Sequence, residues 1–199
     1  MIVLATNNQG KLIEFKNLLA GKGLEIVAQS ELNITEIEES GLTFVENAIL
    51  KARHASLCSN LPAIADDSGV MVDALNGAPG IYSARYAERN GKRKVTSFAA
   101  NIEKLLQDLS SVPAEERSAR FYCIIVYLKH ANDPAPLICQ GVWKGSILFE
   151  PRGSNGFGYD PIFWVPTHNC SAAELPLEIK NQISHRGQAI KQFCELIFE

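Results

Sequence analysis

Short apolar runs alternate with stretches of helical spacing from one end of the chain to the other. Ile2 to Thr6 reads as a buried strand, Asn7-Asn8-Gln9-Gly10 as a turn, and Lys11 to Ala20 as a helix carrying Leu12, Phe15, Leu18 and Leu19 on one side. Leu24 to Ala28 predicts a second strand. Thr43-Phe44-Val45-Glu46 is a capping box, in which the threonine hydroxyl and the glutamate satisfy backbone N–H groups at a helix start, and it predicts a helix to about Ser59. Pro62 to Asp66 and Val70 to Leu75 predict two extended runs separated by Asp67-Ser68-Gly69, followed by a helix over Val95 to Leu109. Phe121 to Leu128 and Leu137 to Trp143 are β-rich and joined by the turn-rich segment His130 to Pro136, which predicts a hairpin and a partly antiparallel sheet. Ser171 to Glu174 is a second capping box, and a last helix from about Gly187 sets Ile190, Phe193, Cys194 and Ile197 on one face. This order predicts an α/β fold with a mixed sheet, without internal repeats, low-complexity tracts or a linker between independent domains.

Composition narrows the function classes. A chain of 199 residues that is 46% apolar has ample material for one domain or two tightly joined lobes. A formal charge of -3 does not favour a nucleic-acid polymer as partner. Five cysteines without a C-x-x-C pair argue against a disulfide framework and against a zinc ribbon, which fits a reducing cytoplasm. Met1 to Thr6 is too short for the apolar core of a signal peptide, and no run approaches the roughly 20 apolar residues that span a bilayer.

Four polar segments carry the candidate chemistry. In Thr6-Asn7-Asn8-Gln9-Gly10-Lys11 a strand ends in a polar turn that feeds a helix with a lysine in its first turn. Helix N-terminal N–H groups and an ammonium both suit a polyphosphate. The segment lacks the leading glycine and the Ser/Thr of a Walker A loop, and alone it is also explained as an ordinary turn. The stretch Glu36 to Glu39 reads as a solvated face. By contrast, Asp66-Asp67-Ser68-Gly69 follows the apolar Ala63-Ile64-Ala65 directly. Adjacent strand residues point to opposite faces, so one aspartate at most enters a given cleft, and its neighbour needs a basic group or backbone donors. Such hard oxygens suit Mg²⁺.

The third segment, Gly153 to Pro161, sets glycines around Phe157 and Tyr159. A ring exposed there stacks on a nucleobase, and Asp160 accepts from a ring N–H; the alternative is a bulged turn whose aromatics pack inward. The fourth, Lys180-Asn181-Gln182-Ile183-Ser184-His185-Arg186, places cations ahead of a helix N-terminus, against the macrodipole, which suggests an anionic or carbonyl-rich ligand or else a solvated loop. Ser184 and His185 do not form a hydrolase triad, and no nucleophile elbow is present. His54, His130 and His168 lack metal-ligand spacing. The basic run Arg89 to Lys94 reads as a solvated loop, with a phosphate-attracting lid as the alternative.

Five ordered motifs resemble one family: Thr6-Asn7-Asn8-x-Gly10-Lys11, Glu39 to Ala48, Ala65 to Gly69, Phe157 to Pro161 and Ser184 to Gly187. These are the non-canonical purine NTP pyrophosphatases, also called inosine triphosphate pyrophosphatases or the Ham1-like family, and the similarity runs from Ile2 to the last helix. The resemblance implies a single domain over residues 1–199. It has two lobes, an elongated mixed sheet flanked by helices and a central substrate cleft. It further implies Mg²⁺, a homodimer, a nucleoside triphosphate as the small-molecule substrate and neither membrane nor nucleic-acid polymer as partner. By motif, Thr6, Asn7, Asn8, Gln9, Gly10, Lys11 and Ser68 would bind substrate. Glu38 and Asp67 would hold the metal, and Asp67 would be the catalytic base. Phe157, Gly158, Tyr159, Asp160, Lys180, His185 and Arg186 would form the nucleoside side, with Lys51 and Arg85 as further candidates for phosphate.

The implied reaction is hydrolysis of ITP, dITP or XTP at the α-phosphorus to the monophosphate and pyrophosphate. Two rivals stand beside it. A Maf-like enzyme would act on pyrimidine or modified nucleotides, against which Ser184-His185-Arg186 speaks; a nucleotide-sensing module without turnover would have no need of the acidic pair.

Overall fold

The computed structural model describes residues 1–90 and 97–198, the side chains of Arg89 and Asn90 excepted. The basic run Arg89 to Lys94 therefore lies outside the described residues, the backbone of its first two members apart. Strand β1 (Ile2–Leu4) is buried along its whole length because β2 (Ile26–Ala28) and β3 (Ala63–Val72) both pair with it in parallel. A strand with neighbours on both edges and helices on its faces reads as an unbroken apolar run. With β4 (Ser118–Leu128), β5 (Leu137–Ile147), β6 (Phe163–Val165) and β7 (Cys170–Ser171) it forms one seven-stranded sheet of order β2-β1-β3-β4-β5-β6-β7. The β5–β6 and β6–β7 pairs are antiparallel, so the sheet is mixed and the fold is α/β with flanking helices, as the pattern predicts.

Helix α1 (Gln9–Leu19) starts two residues earlier than its apolar spacing indicates, because the Asn8 side chain accepts from the Lys11 N–H and caps it. Helix α2 (Phe44–Ser59) begins at the predicted box. Thr43 Oγ1 accepts from the Glu46 N–H at 3.3 Å, and the Glu46 carboxylate accepts from the Leu42 N–H at 2.9 Å. Helix α3 (Phe98–Asp108) is capped by Ser97, α4 spans Leu177–Ile183, and α5 spans His185–Ile197.

Two expectations are corrected. The runs Pro62 to Asp66 and Val70 to Leu75 are a single strand, β3, which passes straight through Asp67-Ser68-Gly69 and ends at Val72, where a 3-10 turn over Asp73–Leu75 begins. Asp-Asp-Ser-Gly has turn composition, but here both carboxylates find cations inside the fold and the extended chain need not break. The segment from Lys180 is not a loop: Lys180 lies in α4, a seven-residue helix behind Pro176 whose Ile179 and Ile183 pack on a core.

The described chain divides into two compact units, residues 1–67, 123–141 and 185–199 in one and 68–122 and 142–184 in the other. The first has a core of Leu4, Phe15, Ile64, Ile125, Ile190 and Phe193, among others. The second is built around Val70, Leu105, Trp143, Ile162 and Phe163. Among the described residues no helix is long and apolar enough to cross a membrane.

Candidate active site

In the first unit the acidic pair on β3 organises a buried charge network. The Asp66 carboxylate accepts from Lys11 Nζ at 3.0 Å and from Arg186 Nη2 at 3.1 Å, and the same guanidinium engages Glu14. Asp67 Oδ1 accepts from Lys51 Nζ at 3.0 Å, and Lys51 reaches Glu39 at 2.8 Å. Asp67 Oδ2 is buried and has no hydrogen-bond partner among the described residues. The two neighbouring carboxylates thus have separate cationic partners, as strand alternation requires.

The electrostatics follow from burial and pairing. Burial pushes the Asp67 carboxyl above its ordinary value; Lys51 and Lys11 pull it down without cancelling the rise. Burial works against the Lys51 ammonium, but Asp67, Glu39 and Asp66 outweigh it and hold it charged above the usual lysine range. Arg186 is disfavoured by burial in the same way and is held charged by Glu14 and Asp66.

Local sequence explains how the cations arrive. Lys11 and Glu14 are three residues apart and share a face of α1. Lys51 sits beside the stripe Ala48, Ala52 and Ala55 on α2, whose small side chains are buried. The start of α5 approaches β5 closely at Gly141, where a Cβ would collide with the His185 carbonyl oxygen. That approach seats His185 and Arg186, both buried. Arg186, at the start of α5, has Asp66 and Glu14 as its anionic partners.

The first loop is ordered by its own side chains. Thr6 Oγ1 accepts from the Asn8 N–H at 3.2 Å and Asn7 Oδ1 accepts from Gln29 Nε2 at 3.1 Å. Gln9 and Gly10 open α1. Glu38 is exposed in the stretch before α2, and it is its neighbour Glu39 that shares Lys51 with Asp67. Ser68 is half-buried in β3.

In the second unit a compact group surrounds Phe157. Asp160 Oδ2 accepts from Lys180 Nζ at 2.6 Å and from the Phe157 N–H at 2.8 Å. The Lys180 ammonium lies 5.1 Å from the Phe157 ring centroid. Gly156, at φ 74°, is the residue that allows this, because a Cβ there would collide with the Asp160 carboxylate. The two aromatics of the loop divide: Tyr159 is buried with its hydroxyl donating to the Ser83 carbonyl at 2.8 Å, whereas Phe157 is half-buried. Gly158 lies between them at φ 64°. Arg85 lies 5.6 Å over the Tyr82 ring.

Among the described residues no three or more of His, Cys, Asp and Glu are gathered as a ligand set. Asp67 Oδ2, buried and without a hydrogen-bond partner among the described residues, nevertheless fits Mg²⁺, which takes one or two carboxylates and completes its shell with water and phosphate oxygens. Sequence reasoning missed Glu14 as a partner of Arg186. Its signal was an acid on an apolar helix, beside Phe15 and Leu18.

Residues 2–196 match the Ham1 family, and the chain belongs to it. A protein of Vibrio cholerae serotype O1 named dITP/XTP pyrophosphatase is 56% identical over 198 residues, covering 100% of this chain and 96% of that one. A dITP/XTP pyrophosphatase of Yersinia pseudotuberculosis is 58% identical over 196 residues, 98% of this chain and 97% of the relative. Among solved structures, a HAM1 protein from Coxiella burnetii superposes with a TM-score of 0.89 at 51% identity, covering 99% of this chain and 98% of that one.

Proposed function

We propose that the protein hydrolyses dITP, ITP and XTP to the nucleoside monophosphate and pyrophosphate, and so clears them from the nucleotide pool. Relatives bearing the dITP/XTP pyrophosphatase name match it over essentially their full length. The observation that carries the reading is Asp67: a buried carboxylate with one oxygen fixed by Lys51 and the other unpartnered among the described residues, its basicity raised by burial.

Asp67 takes the proton of the attacking water on Oδ2, while the Lys51 contact to Oδ1 fixes the orientation of the group. Attack falls on the α-phosphorus, and pyrophosphate departs whole. Lys11, lying at 3.0 Å from Asp66, and the positive end of α1 stabilise charge on the departing oxygens. Asp67 and Glu38 would hold Mg²⁺, Asp67 serving as metal ligand and as base at different moments. When bound, the ion supplies positive charge to the phosphate oxygens and makes water more acidic. Thr6 to Gly10 and Ser68 contact the polyphosphate and sugar.

Phe157 stacks on the purine, a contact worth roughly 1–3 kcal/mol per base. Lys180 and His185 donate to the 6-oxo edge that hypoxanthine and xanthine share and adenine lacks. A site built to hydrogen-bond a group rejects an analogue lacking it by roughly 10⁴–10⁵. One domain of two lobes handles the substrate, and the enzyme works as a cytoplasmic homodimer.

Product analysis tests the reading. Incubating the full chain with ITP and Mg²⁺ yields IMP and pyrophosphate by ³¹P NMR. Release of IDP and orthophosphate, or a preference for UTP or dTTP over ITP and dITP, overturns it.

A further inference from the structure

We infer that Phe98 is a positioning residue of the base subsite, setting the attitude of the Phe157 ring and extending its apolar surface toward the purine. This rests on the reading of Phe157 as the stacking ring. Phe98 is the first residue of α3, and its ring centroid lies 6.1 Å from that of Phe157, with the planes tilted by 45°. That separation is within the 4.5–7 Å range of attractive aromatic pairs.

The surroundings make the contact consequential. Phe157 stands on a loop whose neighbours Gly156 and Gly158 both have positive φ, so local backbone preference does little to hold its side chain. Its N–H is anchored by Asp160 and its ring lies near the Lys180 ammonium. Phe98 approaches this ring from another element, α3. It is held in place by α3, which Ser97 caps and Leu105 secures in the core.

Phe98 itself remains 46% exposed. Half-exposed beside a half-buried ring, it adds aromatic surface next to that of Phe157. Because a base sees this surface in the ground state and the transition state alike, its loss weakens binding and leaves the chemical step unchanged.

The test compares wild type with Phe98→Ala and Phe98→Tyr, using ITP as substrate and inorganic tripolyphosphate as a base-free inhibitor. Phe98→Ala is expected to raise KM for ITP roughly three- to tenfold, the size of one aromatic pair, with kcat within about twofold. Tripolyphosphate inhibition stays unchanged, and Phe98→Tyr restores KM. An unaltered KM in Phe98→Ala, or a parallel loss of affinity for ITP and tripolyphosphate, overturns the assignment while wild-type turnover of ITP still stands. Absence of wild-type turnover overturns the function first and the role of Phe98 with it.

Discussion

Lys51 Nζ stands 3.0 Å from Asp67 Oδ1, so a lysine on α2 fixes one oxygen of the carboxylate on β3. Replacing it by methionine leaves Asp67 and Glu39 as neighbouring acids without their shared cation. Lys51→Met is expected to lower stability by up to about 3 kcal/mol, read by urea denaturation, since removing one partner strands the other charges. The Asp67 carboxyl then rises further, and the acidic limb of kcat/KM moves to higher pH. An unmoved limb would separate Lys51 from the mechanism.

Asp67→Asn is expected to abolish turnover while nucleotide binding stays detectable by calorimetry. Its stability effect has the opposite sign to an ordinary loss of a buried charge. The folded-state value of Asp67 lies above the unfolded one, so its ionisation costs stability once the pH passes the ordinary carboxylate range. In the metal-free protein the Asn variant therefore melts at or above the wild-type temperature at pH 7. The gain vanishes at pH 3, where Asp67 is protonated in both states. Melting below wild type at pH 7 would contradict this balance.

Arg186 couples three elements through Asp66 on β3 and Glu14 on α1. Arg186→Met is expected to cost about 3–5 kcal/mol, because two buried carboxylates lose their partner. Adding Asp66→Asn and Glu14→Gln restores part of the loss. The coupling appears as non-additivity in a mutant cycle, and simple additivity would show that the ion pairs carry no net interaction.

Burial pushes the Cys139 thiol up to about 11, and its side chain is closed off from solvent. At pH 8 only a small fraction on the order of one in a thousand is thiolate. Iodoacetamide is thus expected to label exposed Cys58 in the native protein and to reach Cys139 and Cys123 only after unfolding, as peptide mass spectrometry would register. Early labelling of Cys139 would contradict its packing in the core.

Pattern and tertiary structure divided the description of this protein between them. Periodicity located β1, α1, α2, β4, β5 and α5, because each carries several apolar positions at one spacing, and α1 and α2 also carry the capping residues Asn8 and Thr43. Alternation along a strand also required Asp66 and Asp67 to find different partners. Composition could not keep β3 whole through Asp67-Ser68-Gly69, since the cations that stabilise it there come from Lys11, Lys51 and Arg186, far away in sequence. Nor could it find α4, whose seven residues span too few turns to show a period. Whether Phe157 or Tyr159 faced inward was undecided by residue type. Burial of the Tyr159 ring, with its hydroxyl on Ser83, decided it. Local pattern is short-ranged and specifies elements, whereas the partner of each buried charge is a long-range matter that only packing settles.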